Sequence, residues 1–187
     1  MLEEEKGMRG GQGATVYCRL DNSRYNEYID IVAKGIQSEL KQTKPFESLE
    51  AEAIVALMRT ADLLDWRITE ALKPFDVSPT QYNCLRILRG AGSAGLTCSE
   101  VGERMINRDP DITRLIDRLE KRGLVKRSRE RKDRRVIVTQ ITPAGLDLLK
   151  SCDRPLETYQ GKLLGPLGES KLRSLLATLD AARELLR

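Results

Sequence analysis

The sequence predicts a mainly α-helical protein carrying one small β-hairpin, and three observations lead there. Apolar residues recur at spacings of three and four along most of the chain, then switch to a spacing of two in two short segments of residues 124–141. Basic residues crowd into the same middle stretch. Residues 81–140 hold fifteen Lys or Arg against eight Asp or Glu, a net of +7 in a 187-residue chain whose total is only +4. The helical segments on either side carry apolar stripes that one small lobe cannot cover, so they call for a second surface.

The elements follow in order. Residues 1–22 are rich in glycine and polar groups and read as a mobile tail. In residues 24–41, Tyr25, Ile29, Val32, Ile36 and Leu40 fall on one helical stripe, and Pro45 breaks the pattern. A long helix is predicted over 48–72, with Ile54, Leu57, Ala61, Leu64, Ile68 and Leu72 spaced as in helices that pack lengthwise, and Pro74 ends it. Ser78-Pro79 supplies a cap and a first-turn proline for the next helix, in which Tyr82, Leu85, Ile87 and Leu88 are apolar and Cys84 is a small core residue. A Gly-Ala-Gly connector closes it, and Thr97 caps a short helix over 98–105.

Asp109-Pro110 repeats the cap-and-proline signal, so a helix is expected over 110–122 with Ile112, Leu115, Ile116 and Leu119 buried. Gly123 stops it in the left-handed conformation. Residues 124–129 and 136–141 are two strands joined by the charged turn 130–135. Thr142-Pro143 caps another helix, with Pro155 a candidate kink. A last helix after the Gly165-Pro-Leu-Gly168 run carries Leu172, Leu175, Leu176, Leu179 and Leu186. Two short helices, a longer one and a basic hairpin make a winged helix-turn-helix. The expected organisation is a tail over 1–22, N-terminal dimerisation helices over 23–76, the winged helix-turn-helix over 77–141 and C-terminal dimerisation helices over 142–187.

Composition removes several function classes. Histidine is absent, which takes away most zinc sites, Ser-His-Asp triads and Cys-His dyads. The glycines at 90–95 lack the Lys-Ser/Thr ending of a phosphate loop and follow a helix instead of a strand. No metal, no cofactor and no enzymatic activity are expected. Cys18, Cys84, Cys98 and Cys152 form no C-x-x-C pair and read as reduced thiols of a cytoplasmic protein. No run of about 18 apolar residues suits a membrane span, and the acidic start at Met1 lacks the apolar core of a secretory signal.

The function is carried by the 110–122 helix and the hairpin. Burying one stripe leaves Thr113, Arg114, Asp117, Arg118 and Lys121 on the open face, where residues near the N-terminus reach base edges in a major groove and the basic ones meet phosphates. Residues 126–135 hold seven Lys or Arg and two acids. A charged helix face is more commonly plain solvated surface, but a ribbon this basic fits the concentrated negative potential of a narrow minor groove. Arg131, Lys132, Arg134 and Arg135 complete the expected contact set, and Asp133, two residues from Arg135, is placed to hold that guanidinium extended.

The motifs Gln81-Tyr-Asn-Cys-Leu-Arg-Ile-Leu, Asp111-Ile-Thr-Arg-Leu-Ile-Asp-Arg-Leu-Glu-Lys-Arg-Gly-Leu-Val-Lys-Arg127, Asp133-Arg-Arg135 and Thr142-Pro-Ala-Gly145 resemble the MarR family of bacterial regulators over residues 47–187. The resemblance implies a winged helix within a triangular, intertwined homodimer that binds a pseudo-palindromic operator in double-stranded DNA. Asp133 and Arg135 match the family's wing aspartate and minor-groove arginine, and Arg114 and Arg118 fall on its recognition helix. The implied activity is repression, relieved when a small phenolic or lipophilic anion binds between the dimerisation helices and the DNA-binding lobe. Two departures stand out. The helix at 24–41 and the tail before it exceed the family's usual length. The ligands of the family's sensing branches are missing: its peroxide sensors have a reactive cysteine where residues 46–61 here have none, and its zinc sensors use histidine, which this chain lacks. Trp66 and Arg86 are candidate effector contacts, although a lone tryptophan also serves simply to pack a helix crossing. The rival readings are an architectural or constitutive DNA-binding protein without a ligand, a winged-helix scaffold that binds only protein, and an enzyme.

Overall fold

The computed structural model describes residues 35–106, 111–129 and 135–187, and the chain divides into two compact units, one ending at Leu57 and one starting at Met58. The predicted tail and most of the predicted helix over 24–41 lie outside the described residues. In the first unit α1 is a short helix, Gly35–Glu39. Ser48 then accepts the amide of Ala51 on its Oγ at 3.1 Å and starts α2, Leu49–Leu72. In the second unit the predicted α2 stripe is only partly covered: Ala61 is exposed, Leu64 and Ile68 are half-buried, and Leu72 is buried. Pro74 ends α2 as expected, but the chain continues through a 3-10 turn, Lys73–Phe75, before Asp76 turns it at a φ of 52°.

The helices of the central lobe start where side-chain caps satisfy their first amides. Helix α3, Pro79–Ala91, opens on a capping box between Ser78 and Gln81. Helix α4, Cys98–Arg104, opens on another between Thr97 and Glu100. Helix α5, Ile112–Lys121, differs from expectation. Its cap is Asp111, whose side chain accepts the amide of Arg114, so the helix starts two residues later than the Asp109-Pro110 signal indicates, and those two residues lie outside the described ones. Arg122 caps its C-terminus and Gly123 follows at a φ of 71°.

Strands β1, Val125–Arg129, and β2, Ile137–Ile141, pair antiparallel from Val125 opposite Ile141 to Arg129 opposite Ile137. The sequence reading missed a third arm. Leu96 and Thr139 exchange amide-to-carbonyl hydrogen bonds at 3.0 and 2.7 Å, so the hairpin is fastened to the segment between α3 and α4. Gly95 makes this possible, because it sits at a φ of 71° and a Cβ there meets Thr139 O and Gln140 Cγ at 2.7 Å.

Helix α6, Pro143–Leu164, runs on through Pro155 without interruption, and α7, Gly168–Leu185, follows a 3-10 turn. The Thr-Pro-Ala-Gly motif at its start has a plain physical reason. Thr142 donates its hydroxyl to Gly123 O at 2.7 Å and its amide to Leu124 O at 3.0 Å, while accepting the Gly145 amide at 3.2 Å. This draws the first turn of α6 so close to Leu124 that a Cβ on Gly145 overlaps the Leu124 carbonyl oxygen. The core is built from Leu85 and Leu88 of α3, Val101 of α4, Ile116 and Leu119 of α5 and Val125 of β1. Leu72 of α2 and Leu149, Cys152 and Leu156 of α6 close it.

Candidate nucleic-acid interface

Helix α5 is the most strongly two-sided element of the lobe. Leu115, Ile116 and Leu119 are buried, and Thr113, Arg114, Arg118 and Lys121 are exposed on the other face, as the sequence predicts. Arg114 lies along the helix end, its Nε 3.1 Å from Asp111. Both partners are more than half exposed, so the pair is worth under about 1 kcal/mol and yields readily to a phosphate or base. The C-terminal end of α5 is pinned by Arg122, which donates to Asp76 O at 2.6 Å and pairs with the Asp76 carboxylate at 3.2 Å.

Asp117 stands differently from its neighbours. It pairs with Arg127 of β1 at 2.6 Å. The same guanidinium donates to Glu120 at 3.0 Å and to Thr113 O at 3.4 Å, and the Arg127 amide donates to the other Glu120 oxygen at 3.0 Å. Burial works against the Arg127 charge, but the hydrogen bond and charge of Asp117, with Glu120, outweigh it and push its pKa up. Arg135 is exposed at the start of the returning arm of the hairpin. Arg131, Lys132, Asp133 and Arg134 lie outside the described residues, and with them the expected Asp133–Arg135 pair.

A second cluster lies between α3 and α6. Tyr82 donates its hydroxyl to Asp153 Oδ1 at 3.0 Å, and Arg89 pairs with Asp153 Oδ2. Tyr82, Arg86, Arg89, Asp153, Leu156 and Gln160 line an open cleft of about 330 Å³. Arg86, one of the two effector-contact candidates, therefore sits in a cleft, with its guanidinium 5.8 Å from the Tyr82 ring centroid. Trp66 does not line it. Its ring is half exposed, with Arg67 stacked 4.8 Å away. Burial pushes the Cys84 thiol up to about 12 and raises that of Cys152 as well, which keeps both in the unreactive protonated form. Cys18 lies outside the described residues. Among the described residues no three His, Cys, Asp or Glu gather as a metal site, and no helix is long and apolar enough to cross a membrane.

Sequence reasoning missed Arg127, Arg89 and Asp153. Arg127 had a readable signal, since Thr113, Asp117 and Glu120 are spaced i, i+4, i+7 and form one stripe that needs a cation. Arg89 and Asp153 are 64 residues apart on different helices, and no local pattern joins them.

Comparison with known proteins agrees with this geometry. The model of the MarR family matches residues 77–137. A crystal structure of a MarR transcription factor from Planctomyces limnophilus is 39% identical, covers 73% of this chain and 99% of its own, and superposes with a TM-score of 0.55. The HTH-type transcriptional repressor MdtR of Bacillus subtilis is 31% identical over 102 residues, a stretch that spans 54% of this chain and 64% of MdtR, short of two thirds of that relative. The fold is shared with CouR of Rhodococcus jostii RHA1. It is 23% identical with a TM-score of 0.62 in its complex with p-coumaroyl-CoA, where 73% of this chain and 95% of CouR align. Bound to a 23-mer DNA duplex, CouR is 24% identical with a TM-score of 0.64, with 75% and 99% aligned.

Proposed function

The chain belongs to the MarR family, and on that premise we propose that it is a homodimeric, sequence-specific regulator of transcription, a repressor released by a small lipophilic or phenolic anion. The observation that carries the reading is one exposed helix face, Thr113, Arg114, Arg118 and Lys121, tied through Arg127 to a basic hairpin. Such a helix offers its side chains to base edges of a major groove, while the hairpin offers Arg135 to the adjacent minor groove; Arg131, Lys132, Asp133 and Arg134, outside the described residues, are proposed contacts on sequence alone. The open apolar faces of α2 and α7 pair with those of a second copy, and two copies related by a two-fold axis read a pseudo-palindrome. The name of MdtR and the duplex bound to CouR support this reading. It makes the protein a cytoplasmic DNA-binding protein and not an enzyme.

The α3–α6 cleft is the proposed effector site. Arg86 and Arg89 offer two cations and Tyr82 a hydroxyl, which suits a carboxylate or phenolate that competes with Asp153 in a cleft that Glu157 also lines. The acyl-CoA thioester bound to CouR is a precedent for ligand binding on this fold. Trp66 of α2 lies outside the lining of this cleft.

The test is binding across a salt series to two duplexes, one selected by the protein from a random-core pool and one scrambled. Arg114→Ala and Arg118→Ala are expected to cost about 1–3 kcal/mol on the selected duplex and little on the scrambled one. Arg135→Ala is expected to weaken both and to lower the salt slope by about one unit. A pool that yields no preferred duplex overturns the reading in favour of an architectural protein. Helix variants that keep full preference overturn the assignment of base contacts to α5.

A further inference from the structure

We infer that Arg127, although it belongs to the basic hairpin, is not a DNA contact but the positioning residue that locks the hairpin to the recognition helix and neutralises the two carboxylates that helix would otherwise turn toward DNA. The inference deepens the DNA-binding reading and rests on it.

Thr113, Asp117 and Glu120 lie on one stripe of α5 across two turns. β1 runs beside that stripe, and β2 with its Leu96 bridge lies on the strand's other side. Edge strands leave amides without partners, and Glu120 takes up the one at Arg127, accepting it on Oε1 at 3.0 Å. The Arg127 side chain then lies back along the helix. It donates to Glu120 Oε2 at 3.0 Å, pairs with Asp117 at 2.6 Å and reaches Thr113 O at 3.4 Å, in the half of the helix nearest its N-terminus. The guanidinium is one quarter exposed and its partners are about two fifths exposed. A planar fork spreads its donors over two terminal nitrogens, here Nη1 toward Asp117 and Glu120 and Nη2 toward Thr113 O, whereas an ammonium carries its three donors on one nitrogen.

Two consequences follow from charge and geometry. Asp117 and Glu120 are one turn apart on an element that approaches polyphosphate, and without Arg127 they repel each other and the DNA alike. This side chain also helps to hold the angle between hairpin and helix, on the side of β1 away from the Leu96 bridge. Helix contacts in one groove and hairpin contacts in the next are made together only when that angle holds.

The experiment uses the full-length protein, the selected duplex and the scrambled one. Arg127→Ala is expected to weaken both by about tenfold or more, and the loss is expected to shrink as salt rises, because it comes from two unmasked carboxylates. Arg127→Lys keeps the charge. It is expected to bind the scrambled duplex as wild type does and to lose most of the preference for the selected one. Adding Asp117→Asn and Glu120→Gln to Arg127→Ala is expected to restore scrambled-duplex affinity but not the preference.

Three results overturn the inference: scrambled-duplex affinity in the triple variant that stays as low as in Arg127→Ala, as a lost phosphate contact requires, wild-type preference in Arg127→Lys, or full recovery of preference in the triple variant. Hydrogen exchange without DNA judges the tether separately. Glu120→Gln, which weakens the acceptor, is expected to speed exchange of the Arg127 amide, and unchanged exchange refutes the tether even if no duplex is ever preferred. Wild-type protein that prefers no duplex overturns the DNA-binding reading instead.

Discussion

The lobe that runs from α3 to β2 and the long helices α2 and α7 face the same packing problem and solve it to different degrees. α3 buries Tyr82, Cys84, Leu85 and Leu88, and the ten residues of α5 bury three. α7 is eighteen residues long and buries none, while α2, at twenty-four, buries only Leu72. Their leucines are not randomly placed. Leu175 and Leu176 of α7 are on the surface, and so are Ile54 and Leu57 of α2, all members of the stripes read from the sequence. An amphipathic helix is stable in water mainly through what it packs against. The contrast therefore separates a part that a single chain completes from parts that a second copy completes in the proposed dimer.

The largest expected effect lies on the complete side. Leu119 is fully buried between the recognition helix and the rest of the core. Leu119→Ala removes its methyl groups and leaves a cavity, at a cost of about 2–5 kcal/mol. Urea unfolding of the dimer is expected to shift to lower midpoint with unchanged slope, at every protein concentration. A loss below about 1 kcal/mol means the site collapses around the smaller residue and the core is looser than its burial implies.

On the incomplete side the same kind of change acts through association. Leu175→Glu with Leu176→Glu puts two charges on a face that is already solvent-accessible in one chain, so the lobe is expected to keep its helical signal. Light scattering is expected to fall from twice 21.1 kDa to 21.1 kDa, and affinity for the selected duplex falls because two half-sites no longer bind as one. A double variant that stays dimeric assigns the interface to other surfaces.

How much of this was legible follows from the range of the interactions. The caps at Ser78 and Thr97, the stripe of α5, the glycine stop at Gly123 and the two strands of the hairpin are local, and local residue types specify them. The shift of the α5 start to Asp111 reflects two aspartates on either side of Pro110, each a residue type that caps helices, between which spacing alone does not decide. The Leu96 arm was invisible because a single bridged residue has no period, although Gly95 beside it marks the close approach. In the interface, exposure of Thr113, Arg114, Arg118 and Lys121 was readable from one helical wheel. The engagement of Asp117 was not, because its partner lies on the following strand. Trp66 stands out in the sequence as the lone tryptophan, and Arg86 as a cation suited to an anionic ligand. Only Arg86 lies in the cleft, which forms where α3 meets α6 and so depends on tertiary contact.

The smallest expected effect probes the polar seam between the complete lobe and the helix that leaves it, where Arg89 and Tyr82 of α3 hold Asp153 of α6. Burial alone raises the Asp153 carboxyl, but the hydrogen bonds from Arg89 and Tyr82 and the charges of Arg89 and Arg86 outweigh it and hold the group below its ordinary value. A carboxyl whose folded pKa lies below its unfolded one binds protons less readily in the native state. Its stabilisation is therefore fully present above the unfolded value of about 4 and is lost as pH falls through the folded value. Arg89 and Asp153 are each more than a third exposed, so solvent screening keeps the contribution to about 1 kcal/mol or less. Asp153→Asn removes the titration while its amide oxygen still accepts from Tyr82. The stability gap between wild type and variant, read from urea melts, is expected to be flat from about pH 7 to about pH 5 and to close as pH falls below about 4. A gap that widens on acidification means that Asp153 is destabilised in its charged form, and the seam then holds the two regions together through packing at Leu149, Cys152 and Leu156 alone.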